Sequence, residues 1–256
     1  LTQRLTASGA RTPGDLAVLQ ADVMSANALK LVARLREIGS VPEKSIGARS
    51  MLLGWDGQMR GDQPAAALYW AWEGAIRQRL AARLVKAELV DEFAARLDPV
   101  STLEGPVSRG AGGDIGPWRE ILLVDALSDA VVQLAGEGDV SAALRSARAP
   151  FTFAHPLGVF AIGQRRFNVG PYPLPGHTDA MQTTDGRRGA AVRGVIDLAN
   201  WSASLVANAP GQSGSPSSRH YDDLATRWLT GSLFILSFDQ QNAASASAET
   251  LTLVTR

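Results

Sequence analysis

Apolar residues in the first 150 positions recur at spacings of three and four, the spacing of one buried face of an α-helix. A first helix is predicted to begin at Thr12, whose hydroxyl can cap it, with Pro13 and Asp15 in its first turn. Its apolar face would carry Leu16, Leu19, Val23, Ala26 and Leu29. Gly39, which can adopt a left-handed conformation, is predicted to end this helix.

Two further helices are predicted in the same half of the chain. One runs over residues 64–97 and is ended by the Asp98-Pro99 pair, because the residue before a proline is disfavoured in helical conformation. The other runs over 118–135 and is closed by Gly136. The glycine-rich stretch 108–114 between them predicts a loop.

After Pro150 the period changes to that of strands. Short segments rich in aromatic and β-branched residues, separated by proline and glycine clusters, predict strands at 151–153, 159–160, 192–198, 205–207 and 250–254. The proline-rich segment 171–179 cannot be a central strand, because proline has no N–H to donate. A helix is predicted over 217–228 and a loop over 243–248. The pattern indicates an α+β fold: a mainly helical part, 1–150, and a strand-rich part, 151–256, in one composite domain.

Composition removes several classes of function. The 256 residues are 45% apolar and 20% charged, with 25 basic and 25 acidic side chains. Without an excess of positive charge the chain lacks the electrostatic footprint of a nucleic-acid-binding protein. No apolar run approaches the roughly 18 residues of a membrane span, so neither nucleic acid nor membrane is predicted as a partner. The absence of cysteine excludes disulfides, thiolate catalysis and cysteine-bound metals.

Two short motifs suggest chemistry, each with a plainer interpretation. The run Gly211–Ser215, GQSGS, comes close to the G-x-S-x-G nucleophile motif but ends in serine, so Ser213 is either a nucleophile or part of a glycine-permitted turn. His177 and Asp179, two apart, could point the same way toward a metal. With no third ligand nearby, His177 is otherwise a loop histidine bonded to backbone.

Two other sets of residues carry weaker signals. A loop with Gly110, Gly112 and Gly113 lacks the Lys-Ser/Thr pair of a phosphate cradle and predicts a flexible connector. Four tryptophans could form a carbohydrate-stacking set, or could simply pack in a core: Trp55, Trp70, Trp72 and Trp118. From the residues alone, no convincing catalytic set emerges.

A series of segments, in order along the chain, resembles motifs of one family. They are TPGDLAVLQADVMSANALKLVARL, LLGWDGQMRGDQPAAALYWAW, FAHPL, PG followed by His177 where an acid is usual, RGVIDL from Arg193, and a final signature. The signature contains Gly211, Gln212, Ser213, Gly214, Pro216, Ser218, His220, Tyr221, Asp223 and Trp228. In this order the segments resemble the C-terminal half of the β chain of the penicillin acylase family, within the Ntn-hydrolase superfamily.

The resemblance implies a fold and an activity. The fold would be the C-terminal part of an αββα sandwich, a helical lobe followed by antiparallel strands. The activity would be hydrolysis of a linear N-acyl amide by an N-terminal serine whose own amine is the base, with an asparagine in the oxyanion hole. Both residues are expected upstream of Leu1, so no catalytic residue is expected in this chain, which would be inactive alone.

Partners, cofactors and location follow from the same resemblance. The expected partners are the α chain and the N-terminal part of the β chain of the same precursor, and a small N-acyl amide substrate. No cofactor is expected. Calcium is possible in the full enzyme, with ligands outside this chain. The location implied is periplasmic or secreted.

The motif residues are expected to serve the structure rather than the substrate. Arg193, Asp197, His220, Tyr221 and Asp223 are predicted to form a buried polar network, because buried charges persist only when paired. The other motif residues, predicted to be structural, are Gly211, Gln212, Ser213, Gly214 and Trp228. One alternative is a non-catalytic scaffold or binding protein derived from the same fold. Another is that Thr2 becomes the nucleophile once Leu1 is removed.

Overall fold

The computed structural model describes residues 5–6, 12–104, 118–135, 151–247 and 252. The predictions for 108–114, for Gly136 and for Thr2 fall outside these ranges, as does the strand predicted at 250–254 apart from residue 252. The chain divides into two compact units. The helical unit comprises Val23–Phe151 and Tyr172–Gly186, and the mixed unit comprises Leu1–Asp22, Thr152–Pro171 and Arg187–Arg256. This division is discontinuous, unlike the predicted boundary at residue 150.

Helices predominate in the described residues up to Ala135, and the strands follow from Phe151. The helices are α1 (Pro13–Gln20), α2 (Ala26–Glu37), α3 (Ile46–Leu53), α4 (Pro64–Leu84), α5 (Val90–Ala94), α6 (Pro99–Glu104), α7 (Arg119–Ala135), α8 (Ala161–Phe167), α9 (Ala225–Thr230) and α10 (Gln240–Ala246). The strands are β1 (Phe151–Phe153), β2 (Val169–Tyr172), β3 (Val192–Val195), β4 (Leu205–Asn208) and β5 (Phe234–Ile235). Short 3₁₀ turns lie at Glu43–Ser45, Ala87–Leu89, Pro156–Val159 and Trp201–Ala203.

Helices α4 and α7 form the centre of the helical unit. Trp72 and Leu80 of α4 and Leu123 and Leu127 of α7 are fully or almost fully buried in one continuous core. The indole Nε1 of Trp72 donates to the carbonyl of Leu123 at 3.0 Å, so the largest core side chain also satisfies its polar group. The predicted helix over 118–135 is confirmed by α7.

The first predicted helix is in fact two helices, α1 and α2. The capping box predicted at its start is confirmed, since the Thr12 side chain accepts from the Asp15 N–H and the Asp15 carboxylate accepts from the Thr12 N–H. The break follows because residues 23–25 bond elsewhere: Met59 N donates to Val23 O at 3.0 Å, and Ser25 N donates to Gly57 O at 3.1 Å. These N–H and C=O groups are therefore not available to a helix ladder.

The second predicted helix also ends earlier than expected. Helix α4 begins with Pro64 in its first turn, as predicted, but stops at Leu84. The Asp98-Pro99 pair opens α6 rather than merely ending a helix, because the Asp98 carboxylate accepts from the Val100 N–H at 3.1 Å and from the Ser101 hydroxyl.

Strands of the mixed unit form two small sheets. One pairs β1 with β2, and the other has the order β3-β4-β5 with antiparallel neighbours, Arg193 opposite Ala207 and Val206 opposite Phe234. The strands predicted at 151–153, 192–198 and 205–207 are confirmed, the second ending early at Val195. The segment 171–179 is not a central strand, as predicted. The α+β class is thus confirmed.

Three predictions in the mixed unit are wrong. Residues 159–160 are not a strand, because a 3₁₀ turn and α8 occupy this region. The helix predicted over 217–228 is only α9, which starts at Ala225. The loop predicted over 243–248 contains the end of α10, whose first turn is capped by the Asp239 carboxylate. No helix within the described ranges is long and apolar enough to cross a bilayer.

Candidate functional site: a buried histidine between two carboxylates

The most chemically distinctive site in the helical unit surrounds His177, which is fully buried. Its ring Nε2 lies 3.2 Å from Glu73 Oε2 of α4, and its Nδ1 bonds to the Asp179 carboxylate. Both carboxylates are themselves largely buried, with side chains 6% and 20% exposed. The predicted proximity of His177 and Asp179 is therefore confirmed, and Glu73 is a third partner that the local sequence does not reveal.

Segment 173–184 holds His177 in place through backbone hydrogen bonds. Gly176 N donates to Met59 O at 2.8 Å, and His177 N donates to Gln182 O at 3.2 Å. Gly176 has a φ of +109°, and a Cβ there would lie 2.0 Å from Gln182 O. Only glycine meets both demands, which explains the glycine directly before the histidine.

The site is continued by polar groups on either side. The second oxygen of Asp179 accepts from the Ser25 hydroxyl at 2.8 Å and from the Asn27 N–H at 3.2 Å, at the start of α2. The second oxygen of Glu73 accepts from Arg77 at 3.1 Å. Positive and negative groups therefore alternate along this hydrogen-bonded series of Arg77, Glu73, His177 and Asp179. Asp179 also lies at the positive end of the helix dipole of α2.

The electrostatics favour the charged forms of His177 and Asp179. Burial alone would lower the pKa of His177, but the hydrogen bonds and charges of Asp179 and Glu73 raise the pKa above its ordinary value. Burial likewise opposes ionisation of Asp179, yet bonds from His177, Ser25 and Asn27 bring its pKa below the usual value. The position of the ring between two carboxylates therefore favours the imidazolium form of His177.

The contacts of His177 do not favour the metal-ligand interpretation. A metal binds a ring nitrogen through a free lone pair, and both nitrogens of His177 lie at hydrogen-bond distance from carboxylate oxygens. Among the described residues, no group of three or more histidine and acidic side chains could hold a metal ion.

Aromatic rings enclose the histidine. The Trp70 ring centroid lies 4.3 Å from that of His177, and the Tyr69 centroid lies at 5.5 Å. The carbohydrate-stacking interpretation of the tryptophans is not supported, because they serve separate packing roles. Trp72 is buried, Trp55 packs on Tyr69 at 5.4 Å, and Trp118 lies under the Arg83 guanidinium at 4.0 Å.

A polar cleft of about 340 Å³ opens beside this site, within the helical unit. Its wall carries Glu73, Arg77 and Asp179, together with Arg96 and Asp98. Sequence reasoning does not single out Glu73. Its signal is a carboxylate on the apolar face of α4, four residues after Tyr69 and three before Ile76.

The predicted network of motif residues does not form as one buried set. Arg193 is buried, with its guanidinium 5.1 Å from the Trp228 ring centroid, and burial lowers its pKa. Its Nη1 has no hydrogen-bond partner. His220 and Asp223 instead form an exposed pair at 2.8 Å, with side chains 52% and 37% exposed. The prediction is wrong because the acids pair locally and leave Arg193 on an aromatic ring.

Asp197, Tyr221 and Trp228, which are also motif residues, have separate roles. The Asp197 carboxylate accepts from the N–H groups of Ala199 and Asn200 and turns the chain after β3. The Tyr221 hydroxyl donates to the carbonyl of Phe167. Trp228 is buried and donates to Ala190 O at 2.7 Å.

Ser213 lies in a turn rather than on a nucleophile elbow. The N–H groups of Gln212 and Ser213 donate to His220 O at 2.9 and 3.0 Å, and the Ser213 hydroxyl accepts from the Ser215 N–H at 3.1 Å. A Cβ at Gly211 would lie 2.3 Å from His220 O. The run Gly211–Gly214 therefore folds against residue 220 and serves the turn.

Comparison with known proteins gives concordant matches. A family model described as penicillin amidase matches residues 1–245. The penicillin acylase 2 proenzyme of Pseudomonas sp. (strain SE83) is 27% identical over 274 residues, which cover 98% of this chain and 34% of that protein. The solved structure of a thermostable penicillin G acylase from Alcaligenes faecalis, in orthorhombic form, aligns with a TM-score of 0.56 at 17% identity. It covers 100% of this chain and 52% of that one, and at this identity it shows a similar fold. The chain thus spans about a third of the length of the curated relative.

Proposed function

The chain belongs to the penicillin amidase family, and we propose that it is one part of an N-acyl amide hydrolase whose nucleophile lies in the remainder of the protein. The substrate class would be small N-acyl amides. The partner would be the rest of the same precursor, and the reaction would be acyl transfer from a linear amide to water.

Coverage is the observation that carries this proposal. A relative named as a proenzyme matches 98% of this chain with only 34% of its own length. A solved acylase chain covers all of this chain with 52% of its own. These shares support a chain that supplies part of a larger fold.

The chemistry of the His177 site supports the same division of roles. Ser25, Asp179 and His177 have the residue types of a catalytic triad, but in the wrong order. In a triad the histidine lies between the hydroxyl and the acid, whereas in this chain the hydroxyl of Ser25 bonds to Asp179, which bonds to His177. Since both ring nitrogens are occupied, the histidine cannot take a proton from serine.

The exposed pair His220 and Asp223 of the mixed unit likewise does not activate a serine. His220 bonds to Asp223 through Nδ1, and its Nε2 accepts from Arg219 at 3.0 Å. Ser213 contacts the carbonyl of residue 220 rather than the imidazole. Within the described ranges, neither serine is bonded to a histidine that could activate it.

A paired activity assay tests the proposal. The complete reading frame containing this chain, and the 256-residue chain alone, are assayed for amine release from amides with aromatic, short aliphatic and long aliphatic acyl groups. We expect turnover from the complete protein only. Turnover by the chain alone would contradict the proposal. A complete protein that is folded but inactive on the whole panel would favour the scaffold alternative.

A further inference from the structure

The His177 site joins three parts of the helical unit that are distant in sequence. Glu73 lies in the middle of α4, and Asp179 is bonded to Ser25 and Asn27 at the start of α2. His177 itself belongs to segment 173–184, which contains no helix or strand. The ring thus joins this segment to Glu73 of α4, and the same ring bonds to Asp179, the residue of the segment that contacts the start of α2.

The geometry of the ring specifies its protonation state. A neutral imidazole has one N–H donor and one acceptor nitrogen, whereas an imidazolium has two donors. Both ring nitrogens of His177 face carboxylate oxygens. With a neutral ring, one carboxylate oxygen would face a nitrogen lone pair in a buried site, and an unsatisfied buried charge is costly.

When the ring of His177 loses its proton, the surrounding groups do not replace that positive charge. Helix α4 contributes Glu73, Arg77 and the phenol of Tyr69, whose pKa burial raises well above its ordinary value. The segment itself contributes Asp179, and the start of α2 contributes neutral donors. Arg96 and Asp98 line the adjacent cleft. The two positive charges of Arg77 and His177 balance those of Glu73 and Asp179 while the ring is protonated.

We propose that His177 is a pH-sensitive clasp: its protonated ring holds segment 173–184 to Glu73 of α4 and fixes Asp179 for its bonds to the start of α2, and loss of a proton loosens the segment. The inference does not depend on the proposed amide hydrolase activity. It concerns the conformation of this segment and the cleft beside it.

The direction of the pH effect follows from the pKa of His177, which is raised in the folded state. A raised folded pKa contributes stability that is complete below the unfolded value and is lost as the pH rises through the folded value. The clasp is therefore closed below the unfolded pKa of the imidazole and opens as the pH rises through the raised folded value. The lowered pKa of Asp179 keeps its carboxylate charged until the solution is strongly acidic.

Hydrogen exchange of the complete protein tests the clasp. Protection of the amides of Gly176, His177 and Thr184, corrected for intrinsic exchange, is followed by mass spectrometry from about pH 6 to about pH 9. We expect protection to fall by up to about tenfold per pH unit between the unfolded and the folded pKa of the ring, and to level off above the folded value. Peptides from α7 serve as a reference for global unfolding and keep their protection.

Two variants separate the clasp from other effects of pH. In His177→Gln both N–H donors lie on one nitrogen and cannot replace the two separated N–H groups of an imidazolium, and the amide does not titrate. Protection of the segment should therefore be low throughout and independent of pH. The control is His220→Gln, which removes a histidine that also bonds an acid, but on the surface of the mixed unit. It should retain the profile of the natural protein.

Ring ¹⁵N shifts of histidine-labelled protein give a second measurement that needs no variant to fold. The clasp predicts that both nitrogens of His177 carry protons at about pH 6, and that one proton is lost as the pH rises. A singly protonated ring at about pH 6 would overturn the proposal. So would a segment whose protection is unchanged across the pH range in the natural protein.

Discussion

At the scale of single residues, burial decides how each charge is satisfied. His177, Glu73 and Asp179 are buried together, and the imidazole ring bonds to both carboxylates. Arg193 is buried with no bonding partner at Nη1 and rests on the Trp228 ring. A guanidinium stacks favourably on an aromatic face, so the two buried cations are accommodated by different means.

A prediction at this scale concerns Gly176. Gly176→Ala should lower the free energy of unfolding by at least about 2 kcal/mol, since it combines an unfavourable positive φ with a steric clash. A Cβ at this position would meet Gln182 O at 2.0 Å. Urea denaturation measures the change.

Gly74→Ala is the matched control. Gly74 lies inside α4, and a Cβ there would have no atom within 4 Å. Alanine is favoured over glycine in a helix by about 1 kcal/mol, so this variant should be as stable as the natural protein or more so. An equal loss of stability in both variants would contradict the explanation.

At the scale of elements, the helix caps have unequal weight. Ser25 caps α2 by accepting from the Ala28 N–H at 2.9 Å, is fully buried, and also donates to Asp179. Thr12 caps α1 at an exposed position. We expect Ser25→Ala to cost about 2 kcal/mol and Thr12→Ala about 1 kcal/mol of unfolding free energy. Equal costs in urea denaturation would show that the bond to Asp179 contributes nothing.

The packing of α4 against α7 gives another prediction. Leu123→Ala should cost about 3 kcal/mol, because Leu123 is 1% exposed in the continuous core and its truncation leaves a cavity. Ile121→Ala on the same helix, where the side chain is 62% exposed, should change stability by no more than about 0.5 kcal/mol. The two melting curves, compared directly, would contradict this packing if they shifted equally.

The elements show what apolar spacing can and cannot predict. The spacing of apolar residues is sufficient to predict α7, because that helix is packed along its length. The break between α1 and α2 is not visible in the spacing, because Val23 continues the apolar face while its carbonyl bonds to Met59. Residues 217–224 have the serine and aspartate residues of a helix start, but they form turns instead, such as the one in which the His220 N–H donates to the Ser218 hydroxyl.

Local sequence patterns predict one carboxylate partner of His177, which is Asp179, but not the other, which is Glu73. The two-residue spacing of His177 and Asp179 is local, and their proximity follows from it. Glu73 is 104 positions from His177, and no local pattern relates positions so far apart. The sequence signal is limited to a carboxylate on an apolar helix face, which predicts a buried partner without identifying it.

At the scale of the whole molecule, the mixed unit leaves much apolar surface exposed. Between residues 192 and 238, six large apolar side chains are more than half exposed: Val192, Ile196, Leu198, Trp201, Ile235 and Phe238. Exposed apolar surface of this kind marks a contact with another part of a protein or a tendency to associate. Under the proposed function, the remainder of the precursor would cover it.

The corresponding prediction concerns the isolated chain. The 256 residues produced alone should self-associate with increasing concentration, as measured by light scattering during size-exclusion chromatography. Production together with the remainder of the reading frame should suppress the association. A monodisperse isolated chain that melts cooperatively would show that its sheets need no further partner.

Under the proposed function, this chain belongs to an amide hydrolase whose nucleophile is elsewhere in the protein. The most direct measurement treats the active complete protein with a serine-directed sulfonylating reagent and locates the adduct by peptide mapping, with an N-acyl amide substrate as the protecting ligand. We predict a substrate-protected adduct on a residue outside these 256. A substrate-protected adduct within them, on Ser213 for example, would contradict the account.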